Sequence, residues 1–120
     1  MQEKFFAIFA IVNQGFSDNV MSAARDHGAR GGTVINARGT AKAEAEKAFD
    51  IIIHPDKEIV IILVREDIKD NILHAIYKEV GLNTPGQGIA FAVPVDETVG
   101  LGAKKIKKLQ EEVKEVEEGK

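Results

Sequence analysis

Four short apolar runs, separated by segments with helical periodicity, constrain the fold of this chain more than any other feature of its sequence. Each run is five to nine residues long, which is typical of a β-strand and too short for most buried helices. The runs are Phe5–Val12, Gly31–Gly39 with Thr33, Val34 and Ile35 at its centre, Glu58–Val64, and Gly88–Val95. We therefore predict four strands.

Two amphipathic segments lie between these strands. Ser17 or Asp18 is expected to cap the first helix, because a side-chain oxygen there can accept a hydrogen bond from a free amide of the first turn. Gly28 suits the left-handed position after that helix, and Gly81 should end the second, which begins at Glu66 or Asp67. The predicted buried faces comprise Val20, Met21 and Ala24 in the first helix and Ile68, Ile72, Ala75, Ile76 and Val80 in the second.

The resulting order is β-α-β-β-α-β, which predicts an α+β fold of the ferredoxin-like sandwich type. Such a fold has a four-stranded antiparallel sheet with two helices on one face. The strands carry too few polar residues to alternate, and Glu58–Val64 in particular is expected to be buried on both faces. We infer that other subunits cover the second face of the sheet.

The remaining segments divide the chain into a domain of residues 1–102 and an amphipathic helix of residues 103–120. Within the domain, Thr40–Ala48 is interpreted as a mobile or weakly helical insertion. In the tail, apolar residues at spacings of 3, 4 and 3 form a seam of only about two heptads, which favours a docked or frayed helix over a coiled coil. The seam consists of Ile106, Leu109, Val113 and Val116.

Composition excludes several classes of function. A net charge of −3 argues against nucleic-acid binding, and the absence of cysteine excludes disulfides, thiol catalysis and thiolate metal sites. The absence of cysteine also favours a location in the cytoplasm. The apolar run Phe5–Val12 is too short to span a bilayer. His27, His54 and His74 lack metal-ligand spacing, so we expect no metal site and no required cofactor.

Acylphosphatases share this element order and are the enzymatic alternative. They use an arginine in an early glycine-rich loop, whereas the segment after the first strand, "NQGFS", contains none. No nucleophile and base can be paired by spacing either. We therefore predict no catalytic residues and no enzymatic activity.

Two glycine-bearing segments, Gly28–Gly39 and Pro85–Phe91, lie at strand ends. Backbone amides exposed by glycine can bind a phosphate or the edge of a purine. In a ferredoxin-like sheet the second and fourth strands lie at opposite edges. The two segments could therefore meet more easily across a subunit boundary than within one chain.

Three segments together resemble the nitrogen regulatory P-II family of signalling proteins, across about residues 3–102. They are "HGARGGTVINARG", "EIVIILVRED" and "PGQGIAFAVPVDETVGL". The resemblance implies a homotrimer with three ligand clefts between subunits. It also implies a T-loop, here about residues 39–57, that senses an effector and docks on a partner such as a membrane transporter or a nitrogen-metabolism enzyme.

The same resemblance implies a set of ligand-binding residues. Thr33 would contact the adenine or ribose, Leu63 would pack against the base, and Lys57 lies near the lysine that ends the family's T-loop. The implied set is Gly32, Thr33, Arg38, Gly39, Lys57, Leu63, Gly86, Gln87, Gly88 and Ile89. AMP, ADP or ATP would be the effector.

The chain departs from the family pattern where phosphate should be bound. Ile89 replaces a lysine, Gly100 and Gly102 replace two arginines, and Ala43 replaces a glutamine that helps hold magnesium and 2-oxoglutarate. Each lost cation removes a charge-assisted bond of roughly 1.5–3 kcal/mol, unless Lys42, Lys47 or the tail lysines substitute.

Two further departures from the family pattern concern the T-loop. The T-loop is shorter, and it lacks a tyrosine for uridylylation because the only tyrosine is Tyr77. Together with the lost cations, this favours AMP, ADP, a cyclic nucleotide or another small anion over magnesium-ATP with 2-oxoglutarate.

The alternative from a different class is a structural trimer similar to CutA-like proteins, without a nucleotide site. From the sequence, a Gly88→Arg variant should separate the two hypotheses. It should abolish ligand effects in a regulator while leaving the trimer intact.

Overall fold

A computed structural model of the chain describes residues 4–40 and 55–100. These residues form four strands and two helices in the predicted order. The strands are β1 (Phe5–Asn13), β2 (Thr33–Arg38), β3 (Asp56–Arg65) and β4 (Gly88–Val95), and the helices are α1 (Ser17–Asp26) and α2 (Glu66–Val80).

The strands form one sheet with the order β2-β3-β1-β4, in which every neighbouring pair is antiparallel. With its two helices, this confirms the predicted ferredoxin-like arrangement. It also places β2 and β4 at opposite edges, as the sequence suggested. Central β1 pairs with β3 along its whole length, from Phe5 opposite Arg65 to Asn13 opposite Lys57.

The core lies between the sheet and the two helices. Alternate residues of β1 and β3 face it, including Ile8, Val12, Val60 and Ile62, which are all fully buried. The predicted apolar faces of both helices meet them, with Ile72 and Ile76 also fully buried. Each such side chain contributes roughly 1.5–3 kcal/mol relative to an exposed position, so this layer stabilises the fold within one chain.

The predicted cap of α1 is wrong, since neither Ser17 nor Asp18 occupies the cap position. Phe16 does, and it makes no side-chain cap bond. The first turn is satisfied instead by Glu58 of β3, whose carboxylate accepts hydrogen bonds from Gly15 N (2.7 Å), Ser17 N (3.4 Å) and Ser17 Oγ (3.2 Å). A carboxylate at this end also complements the helix dipole, so β3 supplies the cap across the fold.

The predicted helix ends are confirmed. Gly28, just after α1, has φ +106°, and Gly81, at the end of α2, has φ +74°. Both values lie in the region that glycine adopts without steric cost. His27 and His74 are exposed, at the end of α1 and on the surface of α2, as the sequence indicated.

The second face of the sheet, which we call the open face, lies opposite the two described helices. Burial of β3 alternates in the single chain, and the prediction that other subunits bury the second face of Glu58–Val64 stays a prediction. Open-face side chains such as Leu63 (42% exposed) and Ile89 (58% exposed) are far from fully buried. At its centre Phe9 stacks on Phe91, with ring centroids 5.3 Å apart.

Several predictions concern residues outside the described ranges. These are most of the T-loop, with Lys42, Ala43, Lys47 and His54, as well as Gly102 and the helix predicted for residues 103–120. The division into residues 1–102 and 103–120 stays a prediction. In the ranges 4–40 and 55–100, neither helix has the length and apolar character needed to cross a membrane.

Candidate functional site

The predicted ligand-binding residues fall into two groups that lie apart in one chain. The larger group lies where β1 and β2 end and β3 and β4 begin, and we call it the turn-end half-site. It contains Arg38, Gly39, Lys57, Gly86, Gln87, Gly88 and Ile89. The smaller group, Gly32, Thr33 and Leu63, we call the Thr33 half-site. It lies farther along β2 and β3.

The two groups are well separated along the strands. Lys57 and Leu63 are six residues apart on β3, which corresponds to about 20 Å. Thr33 and Arg38, at the two ends of β2, are separated by about 17 Å on the same basis. Lys57 therefore lies at one end of the sheet, and Thr33 and Leu63 lie toward the other end.

The turn that leads into β4 has a backbone conformation that favours glycine at two positions. Gly86 and Gly88 have φ values of +87° and +140°, and Gln87 N donates a hydrogen bond to Thr84 O at 3.2 Å. A Cβ on Gly88 would lie 2.3 Å from the carbonyl oxygen of Ile11. β4 can therefore pair with β1 here only because residue 88 is glycine.

This geometry corrects the expected behaviour of Gly88→Arg. The variant would clash with the backbone of β1 and force a side chain into an unfavourable conformation. It would damage the sheet as well as any ligand site, so it cannot separate a regulator from a structural trimer.

Gln87 carries an unsatisfied polar atom at this turn. Its Oε1 is enclosed yet has no hydrogen-bond partner among the described residues. Because leaving a buried acceptor unpaired costs free energy, such an atom is a candidate contact for a ligand or a neighbouring subunit.

Short contacts join the described residues on either side of the predicted T-loop. Gly39 N donates to Pro55 O at 2.6 Å, between the two described segments that flank the predicted T-loop. A Cβ on Gly39 would lie 3.0 Å from Cε of Lys57, so glycine leaves room for that lysine stem. Lys57 and Arg38 bring positive charge to this end of the sheet.

Sequence reasoning missed one residue of this region, Asn13. It is the last residue of β1, is 7% exposed, and is the buried polar residue among those described. Its side chain accepts a hydrogen bond from Lys57 Nζ at 2.5 Å and donates one to Gly86 O at 3.1 Å. The available signal was a single amide that ends an otherwise apolar strand.

The Thr33 half-site is packed differently. A Cβ on Gly32 would lie 2.9 Å from Met21 Sδ and 3.0 Å from Ile61 O, so this glycine permits a close approach of β2 to the core. Thr33 is exposed, and it pairs with Ile61 on the open face, the face that Leu63 also joins. This group therefore offers an apolar wall with one hydroxyl and no charge.

The replaced positions carry no cation in the described structure. Ile89 presents its side chain on the open face, and Gly100 has φ +87° with no atom near its missing Cβ. Within residues 4–40 and 55–100, no group of three or more His, Cys, Asp or Glu residues could hold a metal ion.

A shallow groove of about 450 Å³ lies on the helix side of β4. Its lining is formed by Leu73, His74, Tyr77, Leu82 and Ala90. Ala90 points to the helix side whereas Ile89 points to the open side, so this groove and the open-face residues of the candidate site lie on different faces of the sheet.

Comparison with known proteins identifies the same family that the sequence resembles. A family model described as "Nitrogen regulatory protein P-II" matches residues 5–116. The structure of Arabidopsis thaliana PII bound to citrate is similar with a TM-score of 0.64 and 27% identity, over 87% of this chain and 91% of that chain. The B. subtilis GlnK-ATP complex has a TM-score of 0.64 over 82% and 89% of the two chains. Its 14% identity makes it similar in fold alone.

Proposed function

Because the chain belongs to the nitrogen regulatory protein P-II family, we propose that it is a homotrimeric signal-transduction protein that binds a small anionic effector between subunits. The effector is an adenine nucleotide, and the bound state regulates a partner protein. Proteins of this family are signalling regulators rather than enzymes, and they are typically trimers that bind partner proteins.

The single observation that carries the proposal is the separation of the two half-sites. The turn-end half-site has the cations and the glycine turn, whereas the Thr33 half-site has an apolar wall and a hydroxyl. A nucleotide needs both kinds of surface, and one chain holds them about 20 Å apart. If the turn-end half-site of one subunit faces the Thr33 half-site of the next, one cleft contains both.

The open face supports assembly. It exposes Leu63, Ile89, Phe91 and Val93, each by more than 40%. Contiguous apolar surface of this kind marks an interaction site in a soluble protein. In a trimer with inward-facing sheets, neighbouring copies would remove this surface from water.

The chemistry of the turn-end half-site supports an anion. Lys57 and Arg38 are cationic, whereas the Gln87 amide of the Gly86–Gly88 turn is already bound to Thr84 O, so the side chains supply the attraction for an anion. The Arabidopsis thaliana relative is a citrate complex, so a related protein accepts a small anion. Ile89 and Gly100 carry no charge. We therefore expect each phosphate of ATP to contribute less binding free energy here than in a family member that has cations at these positions.

The regulatory part of the proposal rests on the T-loop, about residues 39–57. Its two ends are joined by the bond from Gly39 to Pro55, next to Lys57. An effector bound at Lys57 would therefore lie directly at the base of the loop. A membrane transporter or a nitrogen-metabolism enzyme is the proposed class of partner.

The proposal is tested by measuring mass and melting temperature. Light scattering should give about 39 kDa, three times the chain mass of 13.1 kDa. AMP, ADP, ATP, citrate and 2-oxoglutarate are then added separately at millimolar concentration. An adenine nucleotide should raise the melting temperature, because a ligand that binds only the folded state stabilises it.

A trimer that responds to none of these compounds would contradict the nucleotide part and favour a structural trimer of the CutA-like kind. A monomer would contradict the clefts between subunits.

A further inference from the structure

Asn13 is buried at the end of β1, where an uncompensated amide would be destabilising. Both of its polar atoms are satisfied, Oδ1 by Lys57 Nζ and Nδ2 by Gly86 O. The orientation of the amide is fixed by chemistry, because an ammonium group can only donate and a backbone carbonyl can only accept.

The strand order explains why one side chain reaches both groups. β1 lies between β3, which carries Lys57, and β4, which begins after the Gly86 turn. Asn13 and Lys57 are direct partners across the β1–β3 ladder. Gly88 pairs with Val12, so Gly86 lies just beyond the last pair of the β1–β4 ladder, beside Asn13.

We propose that Asn13 is a positioning residue of the effector cleft, which holds Lys57 Nζ and the Gly86–Gly88 turn in register while leaving the lysine charge available to an anion. This inference rests on the proposed function, since it assigns a role within the same cleft. Asn13 itself touches the lysine and the turn rather than the effector.

The neutral amide matters because of what a carboxylate would do in its place. The ion pairs of the described residues join Arg65 to Asp67 and Lys69 to Asp70, and neither involves Lys57. The ammonium group of Lys57 has three N–H donors, and one of them is bonded to Asn13. Two donors therefore remain for anion oxygens. Aspartate would pair with Lys57, compensate its charge and lose the bond to Gly86.

The test is a charge series with Asn13→Asp. Affinities for AMP, ADP and ATP are measured by calorimetry at one ionic strength, for the wild type and the variant. We expect ATP affinity to fall on the order of ten- to a hundredfold, because a charge-assisted contact is lost, and AMP affinity to fall less. Asn71→Asp adds the same charge on the exposed surface of α2 and should change each affinity less than twofold.

An equal loss for all three nucleotides would overturn the charge role of Asn13 and indicate a structural role alone. An unchanged ATP affinity would overturn the proposal as a whole.

A second measurement separates this inference from the proposed function, since it needs no nucleotide. In the ligand-free protein, Asn13→Ala should speed hydrogen exchange of the Gln87 and Gly88 amides on the order of tenfold, because the turn loses its anchor. If Asn13→Ala does not fold, Lys57→Met breaks the same network from the other end. It should shift the NMR signals of the Asn13 side-chain amide and of Gly86 to Gly88 together.

Unchanged exchange, or a shift confined to Asn13, would overturn the positioning role even if nucleotides bind. Absence of nucleotide binding to the wild type would overturn the proposed function and the charge role. The exchange result would then still decide whether Asn13 holds the turn.

Discussion

The two faces of the sheet are built from the same strands, yet the two described helices cover only one of them. On the helix face, Ile8, Val60 and Ile62 are fully buried. On the open face, Leu63, Phe91 and Val93 are more than 40% exposed, although their side chains are as apolar. Hydrophobicity therefore does not distinguish the faces, and the difference lies in what covers them.

The comparison teaches that the described fold is completed on the helix face alone, whereas our proposed cleft also uses the open face. The helix face needs only α1 and α2. In our proposal a second copy completes both the open face and the separated half-sites, so assembly and effector binding would depend on the same surface. Variants that act on one face at a time can break this account.

The largest effect is expected for Ile62→Asp, on the helix face. Ile62 is fully buried, and an unpaired carboxylate there would cost more than about 4 kcal/mol, a large fraction of the stability of a small domain. Circular dichroism should detect loss of the folded state. A folded variant with an unchanged melting temperature would contradict the assignment of this face as the core.

The matched variant Ile61→Asp changes the neighbouring isoleucine, which faces the open side. We expect the mass in solution to fall from about 39 kDa toward the 13.1 kDa of one chain, because a charge would be placed in the interface between copies. Light scattering at several concentrations measures this. Retention of a trimer would show that the open face is not where the copies meet.

A smaller effect is expected for Gly88→Ala, which disturbs the pairing of edge strand β4 with β1 and so affects both faces of the sheet. The backbone conformation alone should cost about 1–3 kcal/mol, and the clash with Ile11 O adds to it. Gly31→Ala is the control, because nothing lies within 4 Å of its missing Cβ. Thermal unfolding should show a lower melting temperature for Gly88→Ala only; equal values would exclude the close approach of β4 to β1.

The smallest effect is expected for Glu58→Gln, which acts on the helix face alone. The variant removes the negative charge at the start of α1, worth about 0.3–1 kcal/mol, while the amide oxygen can still accept from the backbone amides of Gly15 and Ser17. Denaturant unfolding compares it with Glu79→Gln on the exposed surface of α2. A larger loss for Glu79→Gln would contradict the capping role of Glu58.

Most of the fold could be predicted from local pattern. The four apolar runs and Gly28 and Gly81 fixed the element types and several boundaries, since these signals act over a few residues. The cap of α1 could not be predicted, because Glu58 lies 41 residues away from Ser17 in the sequence. Contacts of this kind depend on strand pairing, which local pattern does not encode.

The candidate site was less accessible to sequence reasoning. Its glycine segments were identified by composition and resemblance, but their separation along β2 and β3 required the register of the sheet. Asn13 was missed because a lone amide at a strand end has no spacing signal. Its role emerges only when Lys57 and Gly86 are found on either side of β1.

The central claim, that each cleft joins the turn-end half-site of one subunit to the Thr33 half-site of another, can be tested by mixing subunits. Lys57→Glu alters the first half-site, and Thr33→Glu alters the second. The ligand is the nucleotide that raises the melting temperature of the wild type most. Each variant alone should bind this nucleotide only weakly. The two are mixed under conditions in which subunits exchange, and binding is measured by calorimetry. The account predicts that binding of wild-type affinity returns, with one intact cleft in each mixed trimer. If mixed trimers, verified by mass spectrometry, bind no better than the separate variants, the cleft does not lie between subunits and the central claim is wrong.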